Sequence, residues 1–131
     1  MIGLDTNVLV RYLTQDDSVQ SPRATALLEH RLSAADPGFI STVVMAEIAW
    51  VLERAYRFTA TEIAAALERL LAADRLLVER EQQVYAAMIS LREGAGTFAD
   101  ALIGAIGISE GCAHTATFDR KALRLPGFAP A

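Results

Sequence analysis

Residues 1–13, MIGLDTNVLVRYL, set the architecture. MIGLD reads as a short strand that stops at Asp5, and TNVLVRYL then places Val8, Leu9, Tyr12 and Leu13 on one helical face. Asp5 therefore falls at a strand-to-helix turn. The same alternation runs outward along the chain. A polar loop, TQDDSVQS, with Asp16 and Asp17 as solvated charges, leads to Pro22 in the first turn of a helix that reaches Leu32. PGFIST is a brief buried strand, and Ser41 or Thr42 caps the helix VVMAEIAWVLERAY. Thr59, with Glu62 three residues on, makes a capping box for a helix through Ala73. LLVE is a further strand, EQQVYAAMISLRE a helix ended by Gly94 and Gly96, and Thr97 opens the helix FADALIGAIGISEG. CAHTATFD reads as a last buried strand ending in Asp119, followed by a tail with Leu123, Leu125, Pro126, Gly127 and Phe128. Short strands alternating with helices predict an α/β fold, a short central parallel sheet with helices on both faces. Such sheets take ligands beyond the carboxyl ends of their strands, where Asp5 and Asp119 both fall.

The 131 residues, 53% of them hydrophobic, are enough for one domain with a sizeable core, expected to span residues 1–131. Twelve Lys+Arg against 16 Asp+Glu give a net charge of −4, so no overall basic field attracts a polyanion and any such ligand must be held locally. Eleven of the 12 basic residues are Arg, whose planar fork suits phosphate, although Arg also pairs along helix surfaces, as the spacing of Glu53 and Arg57 suggests. Cys112 is the only cysteine, which excludes an intrachain disulfide and a cysteine zinc cluster and reads as a small core residue. The N-terminus lacks a basic secretory leader and no apolar run reaches membrane-spanning length, so a cytoplasmic protein with no membrane partner is expected.

Four carboxylates stand in apolar sequence: Asp5, Glu47, Asp100 and Asp119. An ionised carboxylate leaves water at large cost unless it is hydrogen-bonded, neutralised or metal-bound, and clustered oxygen ligands favour Mg²⁺ or Mn²⁺ over zinc. Each acid has a bland alternative. Asp5 suits an N-cap, and taken alone that is its better explanation. Glu47 is the only charge from Val43 through Leu52, with Val43, Val44, Trp50 and Val51 around it, so function outweighs solvation there. Asp100 fits the first helical turn after Thr97, yet it is the only charge from Thr97 through Ser109, and the two readings stand level. Asp119 alone reads as a turn residue. Thr6, Asn7 and Thr117 could hydrogen-bond the carboxylates and hold water around a metal, or simply cap element ends. His30 and His114 lack the partners of a nucleophilic triad, and Gly94, Gly96, Gly104, Gly107 and Gly111 match neither a P-loop nor a dinucleotide fingerprint.

Taken in order, LDTNVLVRYL, the isolated Glu47, FADALIGA and TATFDRKALRLPGF resemble the PIN domain family, over nearly the whole chain, and within it most resemble the VapC toxins of bacterial toxin–antitoxin pairs. By position, the four acids of the family correspond to Asp5, Glu47, Asp100 and Asp119, the polar pair after the first acid to Thr6 and Asn7, and the hydroxyl before the last to Thr117. The resemblance implies a metal-dependent endoribonuclease with a helical clip around residues 43 to 73. It also implies a homodimer and a cognate VapB-like antitoxin. Hydrolysis of an RNA phosphodiester needs an activated water and neutralised phosphate charge, which carboxylate-held Mg²⁺ or Mn²⁺ supplies. Asp5, Asp100 and Asp119 are the expected ligands. Glu47 is expected to bind a second ion or to orient or deprotonate the water. Arg11, Arg120 and Lys121 are the nearest cations for the substrate. Another Mg²⁺-dependent nuclease or phosphatase, or a noncatalytic binding module that keeps the acids for stability, remains as a rival.

Overall fold

The structure, a computed structural model, describes residues 1–131. Its elements run β1 (Ile2–Gly3), α1 (Thr6–Thr14), α2 (Gln20–Ala26), β2 (Gly38–Ile40), α3 (Thr42–Arg54), α4 (Ala60–Ala72), β3 (Leu76–Val78), α5 (Glu81–Arg92), α6 (Phe98–Ser109), β4 (Thr115–Thr117) and β5 (Phe128–Pro130). Alternation of strand and helix is therefore as expected, and every strand pairing is parallel. The strands form two groups: a three-stranded sheet in the order β1-β2-β3, and a pair β4-β5. Ile2 faces Gly38 and Gly38 faces Leu76 in the first group, and Thr115 faces Phe128 in the second.

One cluster of 24 buried apolar residues joins the elements, with Leu9, Ile40, Met45, Ile48, Leu52, Leu67 and Met88 essentially sealed from solvent. Removing the side chain of such a residue costs about 2–5 kcal/mol, because the surrounding packing only partly collapses. Local signals place the helices around this core. Ser41 rather than Thr42 caps α3, its hydroxyl accepting from the Val44 N–H at 3.2 Å. The Thr59–Glu62 capping box forms at the start of α4. Pro22 lies in the first turn of α2, and the chain then widens into one π-helical turn over Leu27–Arg31 before Leu32. No helix is long and apolar enough to cross a membrane.

Four expectations change. CAHTATFD yields only the three-residue β4, whose Ala116 is exposed, because β4 has a single neighbour, β5, drawn from the tail that carried no strand signal. Gly104 makes that arrangement possible: a Cβ on it would stand 2.9 Å from the Pro126 carbonyl and 2.7 Å from the Phe128 ring, so α6 approaches the tail only because the residue has no side chain. Cys112 is exposed, since it follows the end of α6 in the turn leading to β4. Arg57 lies beyond α3 in a left-handed conformation (φ 56°), which removes it from the helical spacing that would pair it with Glu53. Finally, Asp16 and Asp17 are not idle solvated charges. Asp17 caps the start of α2 by accepting from the Val19 and Gln20 N–H groups. Asp16 accepts from the Tyr56 hydroxyl (2.7 Å), the Thr14 hydroxyl (2.8 Å) and both-oxygen contacts with Arg11 (3.0 and 3.1 Å). The Tyr56 bond, with those of Thr14 and Arg11, holds the Asp16 carboxyl down at about 2.

Candidate active site

Asp5 follows β1 and caps α1, accepting from the Thr6 N–H at 2.8 Å through Oδ1. The Thr6 hydroxyl donates to Glu47 Oε1, in α3, at 2.9 Å. One residue therefore binds two of the acids, with its amide and its hydroxyl, across 41 residues of sequence. This tie is possible because α1 packs directly on α3. Asn7 makes no hydrogen bond to an acid and lines a separate hollow between α1 and α2, with Arg11 and Arg23.

The other two acids are set by short-range contacts. Thr97 caps α6 with its hydroxyl accepting from the Asp100 N–H at 3.1 Å, which fixes the turn that carries the carboxylate. The Thr117 hydroxyl, at the end of β4, accepts from the Asp119 N–H at 3.0 Å, and Asp119 Oδ1 accepts from the Lys121 N–H at 2.9 Å. Asp100 and Asp119 share one cleft of about 530 Å³ with Trp50 and Glu53 of α3, Phe58, and the cations Lys121 and Arg124. Arg120 is exposed beside them in sequence. Arg11 is committed elsewhere, to Asp16, Gln20 and Tyr56, and lies in the α1–α2 hollow instead of this cleft.

Desolvation is not what distinguishes these acids. Asp5, Glu47 and Asp119 are exposed and Asp100 is half-buried. Glu47 lies on an open face of α3, since Val43 and Trp50, its one-turn neighbours, are 67% and 60% exposed, whereas Met45, Ile48, Ala49 and Leu52 face the core. An apolar neighbourhood in sequence was thus two faces, one of them open.

The donor chemistry fits a hard divalent cation. All four groups are carboxylates, and each keeps at least one oxygen that accepts no hydrogen bond from the protein. No three of the acids, with or without His or Cys, stand together in a group that could already hold one ion.

Residues that the sequence did not single out complete the surroundings. Trp50 and Glu53 follow Glu47 at spacings of three and six, which is the signal that could have found them. Glu79, just after β3, accepts from both the N–H and the hydroxyl of Thr42 at 2.9 and 3.0 Å, tying the three-stranded sheet to the start of the Glu47 helix. Those two bonds, the backbone one first, hold its carboxyl below the usual range. Only the long-range pairing reveals it.

A search among curated proteins gives no match to this chain. The model of the PIN domain matches residues 2–127, and with a carboxylate-bearing end to each parallel group of strands the chain belongs to the PIN domain family, whose members are generally nucleases.

Proposed function

We propose that this protein is a metal-dependent endoribonuclease of the VapC kind, the toxin of a toxin–antitoxin pair, acting in the cytoplasm as a single-domain chain that forms a homodimer. The observation that carries the reading is the pairing of Asp100 and Asp119 in one cleft with Lys121 and Arg124, in a PIN chain whose remaining two acids are joined through Thr6. Asp5, Asp100 and Asp119, with Glu47, would hold Mg²⁺ or Mn²⁺. When bound, the ion supplies charge neutralisation at the phosphate and a more acidic water.

This chain's own groups do the rest. Thr6 holds Asp5 and Glu47 in fixed relation, so that the free Oε2 of Glu47 orients the attacking water and accepts its proton. A new P–O bond forms from that water, the bond to the leaving RNA oxygen breaks, and a proton ends on that oxygen. Lys121 and Arg124 offer donors to the phosphates flanking the scissile one, with Arg120 beside them, which gives an acidic protein a local hold on a polyanion. A cognate VapB-like antitoxin would act by entering the cleft and presenting an Arg to the carboxylates.

The noncatalytic rival draws on one observation, that no three acids are gathered. The two readings separate on stability and turnover together. Purified protein is incubated with RNA, DNA and a phosphomonoester, with Mg²⁺, Mn²⁺ or excess chelator. Cleavage of RNA alone, dependent on metal, is the expected result; hydrolysis of only DNA or the monoester identifies another metal enzyme. With no turnover at all, and acid-to-amide variants that unfold at lower temperature, the module reading prevails. Coexpression with the neighbouring open reading frame tests the antitoxin: copurification and relief of toxicity are expected, and failure of both removes the pairing.

A further inference from the structure

The single tryptophan of the chain, Trp50, is 60% exposed on the open face of α3, one turn beyond Glu47, and it lines the same cleft as Asp100, Asp119, Lys121 and Arg124. A large aromatic left in water at that position loses the burial that would stabilise it, so packing does not account for its presence. The guanidinium of Arg54 lies 5.5 Å from its ring centroid, which orients the ring from the adjacent turn. We propose that Trp50 is a positioning residue on which an unpaired base of RNA stacks, so that the neighbouring phosphate is presented to the carboxylates.

The proposal rests on the nuclease reading and adds what that reading lacks, a physical reason for a particular form of substrate. The cleft combines three chemistries that one ligand class matches together: an aromatic face for a base, two cations for phosphates, and carboxylates that would help to hold a divalent ion. Neither Lys121 nor Arg124 forms an ion pair within the chain, so both remain open to a polyanion. At about 530 Å³ the cleft falls within the ~300–1,000 Å³ typical of ligand sites. A base inside a duplex is stacked on its neighbours and cannot reach a side chain at the wall of such a cleft, so the geometry selects single strands, loops or ends. Phe118, 93% exposed and immediately before Asp119, adds a second aromatic next to a cleft residue.

Because Trp50 is the only tryptophan, its emission reports on the cleft alone. The full chain with Mg²⁺ is titrated with a cleavage-resistant 2′-O-methyl single strand, with the same strand fully paired, and with an abasic strand of equal phosphate number, and affinities are taken in parallel by calorimetry. The intact single strand should change Trp50 emission and bind about 5- to 150-fold more tightly than the abasic strand, the range for one base on an aromatic ring. Trp50→Leu should bring the intact strand down to the abasic affinity, and Trp50→Phe should recover most of the difference. Both variants keep the fold, since the ring is outside the core, and circular dichroism checks this. Equal affinity for intact and abasic strands, or a Trp50→Leu protein that binds like the wild type, overturns the stacking role. If RNA cleavage with Mg²⁺ persists in that case, the nuclease reading stands without it. If no strand binds and no RNA is cut, both fall. A change in emission with an apolar, arginine-containing peptide and none with any nucleic acid assigns the cleft to a protein partner and likewise overturns the proposal.

Discussion

The two halves of the candidate carboxylate set are built by different means. Thr6 joins its neighbour Asp5, through its amide, to Glu47, 41 residues on, through its hydroxyl, and the helices α1 and α3 that carry the link pack against each other. Asp100 and Asp119 are each set by contacts within two or three residues: Thr97 with Asp100, and Thr117 and Lys121 with Asp119. The first half is tied by a tertiary contact; in the second, Asp100 stands on α6, which packs on α5 and α3, and Asp119 follows β4 of the separate pair. The first half is thus held by one long-range contact and the second by short-range ones.

The largest effect expected from breaking this arrangement is at the half tied through Thr6. Glu47→Gln should reduce RNA cleavage by about 10²–10⁴-fold, the scale for a proton-transfer group, with an unchanged unfolding curve because the side chain is exposed. Retained activity removes Glu47 from the mechanism. Next, Thr6→Val deletes the hydroxyl that reaches Glu47, and metal affinity measured by calorimetry should fall by about 10–100-fold. Thr117→Val, which loses only a local backbone contact, should cost less; the reverse order would refute the contrast between the halves.

Stability tests the second half from beneath. Gly104→Ala drives a methyl group toward Phe128 and the Pro126 carbonyl, and urea unfolding should show a loss of about 1–3 kcal/mol. An unaltered midpoint would mean that α6 does not depend on this close approach. Smaller still, neutralising Arg120 and Lys121 together should raise KM and lower the salt dependence of binding by about one unit of slope per lost phosphate contact. An unchanged salt response would place the substrate elsewhere.

The smallest effect lies outside the site, at Asp16. Its carboxyl is held down at about 2, chiefly by the Tyr56 hydroxyl, so its contribution to stability is complete above the ordinary Asp value of about 3.9 and is lost as pH falls toward 2. Asp16→Asn should flatten that part of the stability profile and leave the neutral range nearly as before, since surface pairs are weak. A profile identical to the wild type would show that the Tyr56–Asp16–Arg11 contact is not formed in solution.

Much of the fold was legible because its signals are local. The alternation of short apolar runs with capped helices gave the α/β order, and Thr59–Glu62 and Thr97–Asp100 formed the caps that their spacing announces. The acids were legible as residue types in motifs, but the reason offered for them, burial in apolar surroundings, was not the structural one. On α3 an apolar run covers both a core face and an open face, and sequence alone does not say which of them Glu47 shares. Glu79, Trp50 and β5 were hidden for the same cause. Glu79 acts on Thr42 across 37 residues, Trp50 gains its meaning from a cleft assembled by four segments, and β5 is defined only by its pairing with β4. Arg11 shows the converse, a cation near an acid in sequence that the fold turns toward Asp16.

The decisive measurement is cleavage of an unstructured RNA by the wild type and Asp100→Asn, side by side with Mg²⁺, Mn²⁺ or excess chelator. The wild type should cleave only with metal and stop with chelator, and the variant should lose at least about 100-fold with the fold intact. Equal cleavage by both proteins, or two folded and inactive proteins that also bind no metal in a titration, would contradict it.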